Sequence, residues 1–179
     1  MEYECADPNA TVRAANVRST LDAFAYMPSM GQALVARHGL PIEDLHPDNR
    51  VPVQRWLDAM KELAAVGGTN MLRAVGSAII RNADFPPHLD SVPTVLTALD
   101  TIYYANHYGD VGHYVTRVLD DGAIEVECST PYPREFERGL VEGICSHPDL
   151  CGDIAYIVHY SDGPPDSDVS CILTVRTKA

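Results

Sequence analysis

Residues 113–128, HYVTRVLDDGAIEVEC, constrain the fold more than any other stretch of the chain. Tyr114, Thr116 and Val118 fall on one side of an extended backbone, and His113, Val115 and Arg117 on the other. Ile124, Val126 and Cys128 repeat the pattern, with Glu125 and Glu127 opposite them. Alternation with a period of two marks a half-buried strand pair. Asp120-Asp121-Gly122 can close that pair as a three-residue loop with glycine in the left-handed position. This register sets Val118 against Ile124 and Arg117 against Glu125, so the apolar residues share one face and an opposite-charge pair lies on the other. A two-residue loop at Asp121-Gly122 would scramble the faces.

A helix is predicted next. Pro133 suits its first turn, where a missing N–H leaves nothing unsatisfied. Phe136, Leu140 and Ile144 recur every four residues, with Gly139 and Gly143 on a neighbouring stripe. Two interior glycines each weaken a helix by about 1 kcal/mol relative to alanine. Close helix–sheet packing accounts for them, and a ligand against the helix is the sharper alternative. Residues 153–160 alternate again, with Ile154, Tyr156, Val158 and Tyr160 on one side. Ala155, Ile157 and His159 on the other side suggest cover on both faces. SDGPPDSD reads as a loop. Val169–Arg176 forms a last strand with Val169, Cys171, Leu173 and Val175 on one face. Residues 113–176 are therefore expected to form a four-stranded, mainly antiparallel ββαββ unit.

The first 109 residues show helical periods instead. Helices are predicted over Ala10–Tyr26, with Asn9 as cap, and over Ser29–His38, ended by Gly39. PIEDLHPDNRVP is a loop. VQRWLDAMKELAAV follows Pro52, with Trp56, Leu57, Met60 and Leu63 on one face and Gly67-Gly68 as its stop. A further helix is expected from Thr69 or Asn70 through Ala83, and another from Ser91 to Asn106 with Pro93 in its first turn. The fold class is thus α+β, a helical N-terminal half (1–109) packed on the sheet of the C-terminal half (113–176). The two halves form one domain over 1–179, because the sheet's apolar face needs the helices to cover it.

Charge narrows the function classes. The net charge is −12, and no Lys/Arg run occurs. Nucleic acid and anionic membranes both require clustered cations, so neither is an expected partner. MEYECADPNA is acidic and lacks an apolar stretch, and the five cysteines (Cys5, Cys128, Cys145, Cys151, Cys171) are odd in number. We therefore expect no signal peptide, reduced thiols and a cytoplasmic protein. No apolar run approaches the length of a membrane span.

No nucleophile elbow, phosphate loop, dinucleotide fingerprint or His-Glu-x-x-His is present. An enzyme is the less favoured reading, and no catalytic residue is assigned. Glu135, Glu137 and Glu142 read as a solvated helix face paired with Arg134 and Arg138. His107 and His113 flank a glycine-rich turn, and a cluster with His159 would suit a metal, but the spacing matches no recognised site. The aromatic residues are core by default. The sharper expectation is that Trp56, Met60, Tyr103, His107 and Phe136 line an apolar cavity between helices and sheet, with a Tyr or His supplying the polar contacts.

The order of elements carries a resemblance. A strand, a DG turn, a strand ending in Cys128-x-x-Pro131-x-Pro133, the helix FERGLVEGI, a strand, a polar loop and a closing SCILTV resemble the 4-vinyl-reductase-type domain. That domain belongs to a superfamily shared with heme–nitric-oxide-binding domains and TRAPP vesicle-tethering subunits. The resemblance is strongest over 113–176. It implies the same α+β architecture and, in some members, a buried small-molecule pocket. In heme-binding relatives a helix just before the sheet supplies the iron-ligating histidine. Here Tyr103 lies near that place and His107 one turn later, and the arginine-containing motif that receives the porphyrin carboxylates is not evident. Some phenol-sensing relatives hold zinc with cysteines in this part of the fold, but SDGPPDSDVSC has one cysteine where two are wanted. No cofactor is predicted, with heme and zinc as alternatives. The resulting expectation is a sensory or carrier domain that binds a small apolar molecule, working as a homodimer. The alternatives are a homodimeric assembly module, a heme-binding gas sensor, and an enzyme acting on an aromatic or tetrapyrrole substrate.

Overall fold

The computed structural model describes residues 2–81, 83, 85–161 and 169–178. The first half runs β1 (Thr11–Arg13), α1 (Ala14–Asp22), α2 (Pro28–Arg37), β2 (Arg50–Pro52), α3 (Val53–Gly67), α4 (Thr69–Arg81), α5 (Val92–Thr97) and α6 (Leu99–Asn106). The second runs β3 (His107–Tyr108), β4 (His113–Val118), β5 (Ile124–Ser129), α7 (Arg134–Cys145), α8 (Pro148–Cys151), β6 (Tyr156–Tyr160) and β7 (Cys171–Thr177). The architecture is the expected one, a helical first half and a four-stranded antiparallel sheet in the second.

The β4–β5 hairpin has the register that the alternation requires, Val118 opposite Ile124 and Arg117 opposite Glu125. Leu119 donates its N–H to the Ala123 carbonyl, and Gly122 at φ +81° turns the three-residue loop. Arg117 reaches both Glu125 and Glu127 on the open face. The strand order is β4-β5-β7-β6. This order places β6 at an edge, and its second face is not covered: Ile157 and His159 are exposed. The expectation of a strand buried on both faces is therefore corrected. The SDGPPDSD segment falls largely outside the described residues.

Helix α7 lies between the sheet and α4. Its glycine stripe faces α4 rather than the sheet. A Cβ on Gly139 would overlap the Arg73 carbonyl, and one on Gly76 would overlap the Phe136 carbonyl. The two helix backbones therefore touch, which only glycine allows. Arg73 and Arg138 both bond the Glu142 carboxylate alongside the crossing.

Three further departures have local causes. Thr11–Arg13 is a strand where a helix was expected. It pairs antiparallel with β2 and with β3 to form a second sheet, order β2-β1-β3. Strands of two or three residues are too short to show a period in sequence. The helix expected over 91–106 breaks at Ala98 into α5 and α6. Finally, the short α8 follows Cys145 and was not expected. Among the described residues no helix is long and apolar enough to cross a membrane.

Candidate functional site

The site is built where α6 turns into β3. The His107 backbone is extended (φ −118°, ψ 160°), which ends the helix and lays the residue beside Val12 of β1. Val12 and His107 both point into the core. The Tyr103 carbonyl accepts twice from His107, once from the backbone N–H and once from the ring at 2.8 Å. A carbonyl only accepts, so Nδ1 carries the ring proton. Burial lowers the His107 pKa to about 4, which makes the imidazole neutral. Its Nε2 lone pair therefore accepts from the Tyr132 hydroxyl at 2.7 Å.

The aromatic residues around His107 form one cluster. Tyr103 stacks against the His107 ring at 4.0 Å between centroids, and its hydroxyl donates to the Val111 carbonyl at 2.7 Å. Trp56 of α3 meets Tyr132 and Phe136 edge-on at 5.3 and 5.6 Å, while its indole N–H donates to Thr20. Tyr132 tilts over Phe136 at 4.9 Å. All five residues expected to line a cavity, Trp56, Met60, Tyr103, His107 and Phe136, are buried. Tyr132 is the side chain that joins Trp56 and Phe136 to His107, and sequence reasoning passed over it because it lies between two prolines and read as punctuation. The rings of Trp56, Tyr103, His107, Tyr132 and Phe136 pack on one another. Two surface depressions of about 340 and 450 Å³ lie elsewhere, beside Cys5 and Thr130 and beside His88 and Pro93, and none of the five residues lines either.

A second buried polar group lies within the same layer. Glu137 is 0% exposed, which corrects the expectation of a solvated face. Tyr114 of β4 donates to one carboxyl oxygen at 2.7 Å, and Thr130 donates to the other. Burial raises its pKa to about 7, against the lowering effect of those two hydrogen bonds. The signal for its burial was in the sequence: Glu137, Leu140, Val141 and Ile144 share one helical stripe. Glu142 keeps the expected Arg138 partner, and Glu135 accepts from Tyr160.

His107, His113 and His159 do not come together. His113 and His159 are exposed on β4 and β6, at opposite edges of the sheet. Among the described residues no three His, Cys, Asp or Glu side chains gather as a metal-holding group. One histidine is nevertheless sufficient to hold a heme iron.

No protein-family model and no curated protein matches the chain. Solved structures do match it. An H-NOX protein from S. oneidensis in the Fe(II)NO ligation state aligns with a TM-score of 0.71 at 14% identity, covering 93% of this chain and 99% of the other. A mutant of the H-NOX from T. tengcongensis gives 0.63 at 13% identity, covering 93% and 98%. A structure described under modulating heme redox potential through protein-induced porphyrin distortion gives 0.55 at 16% identity, covering 93% and 99%. This likeness extends over the helical half as well as the sheet. It supports the heme–nitric-oxide-binding side of the resemblance and does not reach the 4-vinyl-reductase or TRAPP side. It also overturns the expectation of no cofactor, since one of these neighbours is described in its Fe(II)NO ligation state and another by its heme.

The residues present fit heme in donor chemistry. His107 offers a neutral, oriented imidazole in apolar surroundings, whereas burial raises the Tyr103 pKa well above its usual value and disfavours a phenolate ligand. The space beside Nε2 is held by Tyr132, which must turn away before iron could be ligated.

Proposed function

We propose, from the H-NOX fold, that this chain is a sensory domain that holds heme between the helical layer and the sheet, with His107 as the residue that would hold the iron. The observation that carries the reading is His107 itself, neutral, anchored through Nδ1 and directing its Nε2 lone pair into the aromatic cluster. Heme, when bound, supplies an iron that takes a diatomic gas. The protein's own residues do the rest. The Tyr103 carbonyl fixes the ring orientation and raises its basicity. Burial keeps protons from competing for Nε2 down to about pH 4. Trp56, Met60 and Phe136 would bound the apolar faces and exclude water. Tyr132 supplies the two-state element: its hydroxyl rests on Nε2 in one packing and leaves it in the other. Because Tyr132 packs on Phe136 of α7, the exchange would pass to the α7–α4 crossing.

Hemin titration followed by absorbance tests the reading. One heme per chain with a Soret band is expected, lost in His107→Ala and restored there by imidazole. An unchanged Soret spectrum in His107→Ala would refute His107 as ligand, and no Soret band in the wild type would refute heme. Tyr132→Phe removes the hydroxyl that competes for Nε2, worth about 1 kcal/mol, so hemin should bind roughly fivefold tighter. Weaker binding in that variant would mean Tyr132 assists the heme. A second reading, a small apolar molecule held without iron, is favoured by the packed cluster, since a small guest displaces fewer rings. It predicts quenching or shifting of Trp56 emission by a bound apolar compound with no Soret band.

A further inference from the structure

Cys128 on β5 and Cys171 on β7 stand directly opposite each other in the antiparallel register. Both side chains point to the inner face, 0% and 3% exposed. Residues so opposed have Cα atoms about 4.5–5.5 Å apart, inside the roughly 4.4–6.8 Å range that accepts a disulfide. The other cysteines sit elsewhere: Cys5 in the N-terminal segment, with its thiol on the Asp110 carbonyl, Cys145 at the end of α7, and Cys151 at the end of α8. We propose that Cys128 and Cys171 are a redox pair, closed to a cross-strand disulfide by a hydroperoxide, and that this bond acts on the site through the strand that leads into Thr130 and Tyr132. The proposal holds whether or not the site takes heme.

The chemistry balances without a further reactant. One cysteine sulfur attacks a peroxide oxygen, the O–O bond breaks, and a sulfenic acid forms with release of water or alcohol. The second sulfur attacks the sulfenic sulfur, the S–S bond forms, and the sulfenic hydroxyl leaves as water with the proton of the second thiol. The pair loses two electrons and the peroxide gains them. The neighbouring Cys171 thiol, together with burial, pushes the Cys128 thiol up, so the first step is slow. The second is intramolecular between residues directly opposed on paired strands, so the sulfenic acid does not accumulate. The Cys128 carbonyl accepts from both the N–H and the hydroxyl of Ser170, at 2.7 and 2.8 Å, which fixes the approach of the two strands at this end. Two residues beyond Cys128 is Thr130, bonded to Glu137, and two beyond that is Tyr132, resting on His107. A covalent bond across β5 and β7 therefore bears directly on both buried polar groups.

The test is hydrogen peroxide treatment of the reduced full chain, followed by alkylation under denaturing conditions, intact mass measurement and peptide mapping. The expected result is three alkyl groups per chain where the dithiothreitol-reduced control takes five, with the 128 and 171 peptides joined. Cys171→Ala should abolish the cross-link. A Cys5→Ser/Cys145→Ala/Cys151→Ser variant, which keeps the pair in its native setting, should still form it. Trp56 emission should shift on closure, because Trp56 packs on Tyr132. Oxygen additions without a cross-link, a bond between Cys145 and Cys151 instead, or failure of the triple variant to close would overturn the pair. Closure with no change in Trp56 emission would overturn its action on the site.

Discussion

Glu137→Gln is expected to stabilise the protein at neutral pH and to leave it unchanged in acid. The folded carboxyl titrates at about 7 and the unfolded one near 4.5, because burial disfavours the anion. Below 4.5 both states are protonated, and the stability associated with the proton is fully present. Between 4.5 and 7 the unfolded chain releases the proton while the folded chain keeps it, so stability falls as pH rises. Above 7 both are ionised and the loss is complete, at about 3 kcal/mol. His107 works the other way. Its pKa is about 4 when folded against 6.5 when unfolded, so its contribution is full above 6.5 and is lost as pH falls toward 4, again by about 3 kcal/mol. The two slopes oppose each other between 4.5 and 6.5, and their sum is nearly flat there. Urea denaturation of wild type and Glu137→Gln across pH isolates the first slope. The difference between them should grow by about 3 kcal/mol from pH 4.5 to 7. A difference independent of pH would show that Glu137 is ionised in the fold throughout. A core that is stabler with glutamine holds this carboxyl at a loss, which marks sites kept for something other than stability.

Gly139→Ala is the second large effect. Its Cβ would overlap the Arg73 carbonyl oxygen, a backbone atom of α4 that cannot rotate away. Relief requires α4 and α7 to separate along the crossing, and the expected loss is about 3 kcal/mol despite alanine's better helix propensity. Gly76→Ala meets the same obstruction from the other side, at the Phe136 carbonyl. The double variant should lose less than the sum, because one separation relieves both overlaps. Gly143→Ala approaches Ile80 and Ser77 only to 3.1 Å and should lose about 1 kcal/mol. Thermal denaturation of the four variants checks the order. A Gly139→Ala protein of wild-type stability would mean the stripe is not a backbone contact.

These two positions also show what was legible in the sequence. The alternation of Tyr114–Cys128 dictated the hairpin, its loop and its register, because a slip of one residue would expose the whole apolar face. The burial of Trp56, Met60, Tyr103 and Phe136 followed from helical spacing, and that of His107 did not. The partner of the glycine stripe did not, since spacing marks a close approach without naming what approaches. The second sheet was hidden by the brevity of its strands, although it is what turns His107 inward against Val12. Glu137 was hidden by its neighbours: Glu135, Arg138 and Glu142 made the helix look solvated, while the stripe with Leu140 and Ile144 pointed inward. Tyr132 carried no periodic signal at all.

Native mass spectrometry of the full chain, produced with heme in supply and purified without added ligand, tests the central claim most directly. The proposed sensory domain predicts a mass excess of one heme per chain, released on denaturation and missing from His107→Ala. A wild-type chain carrying its own mass alone under those conditions would contradict heme binding and leave His107 and Tyr132 as a hydrogen-bonded pair within a packed core.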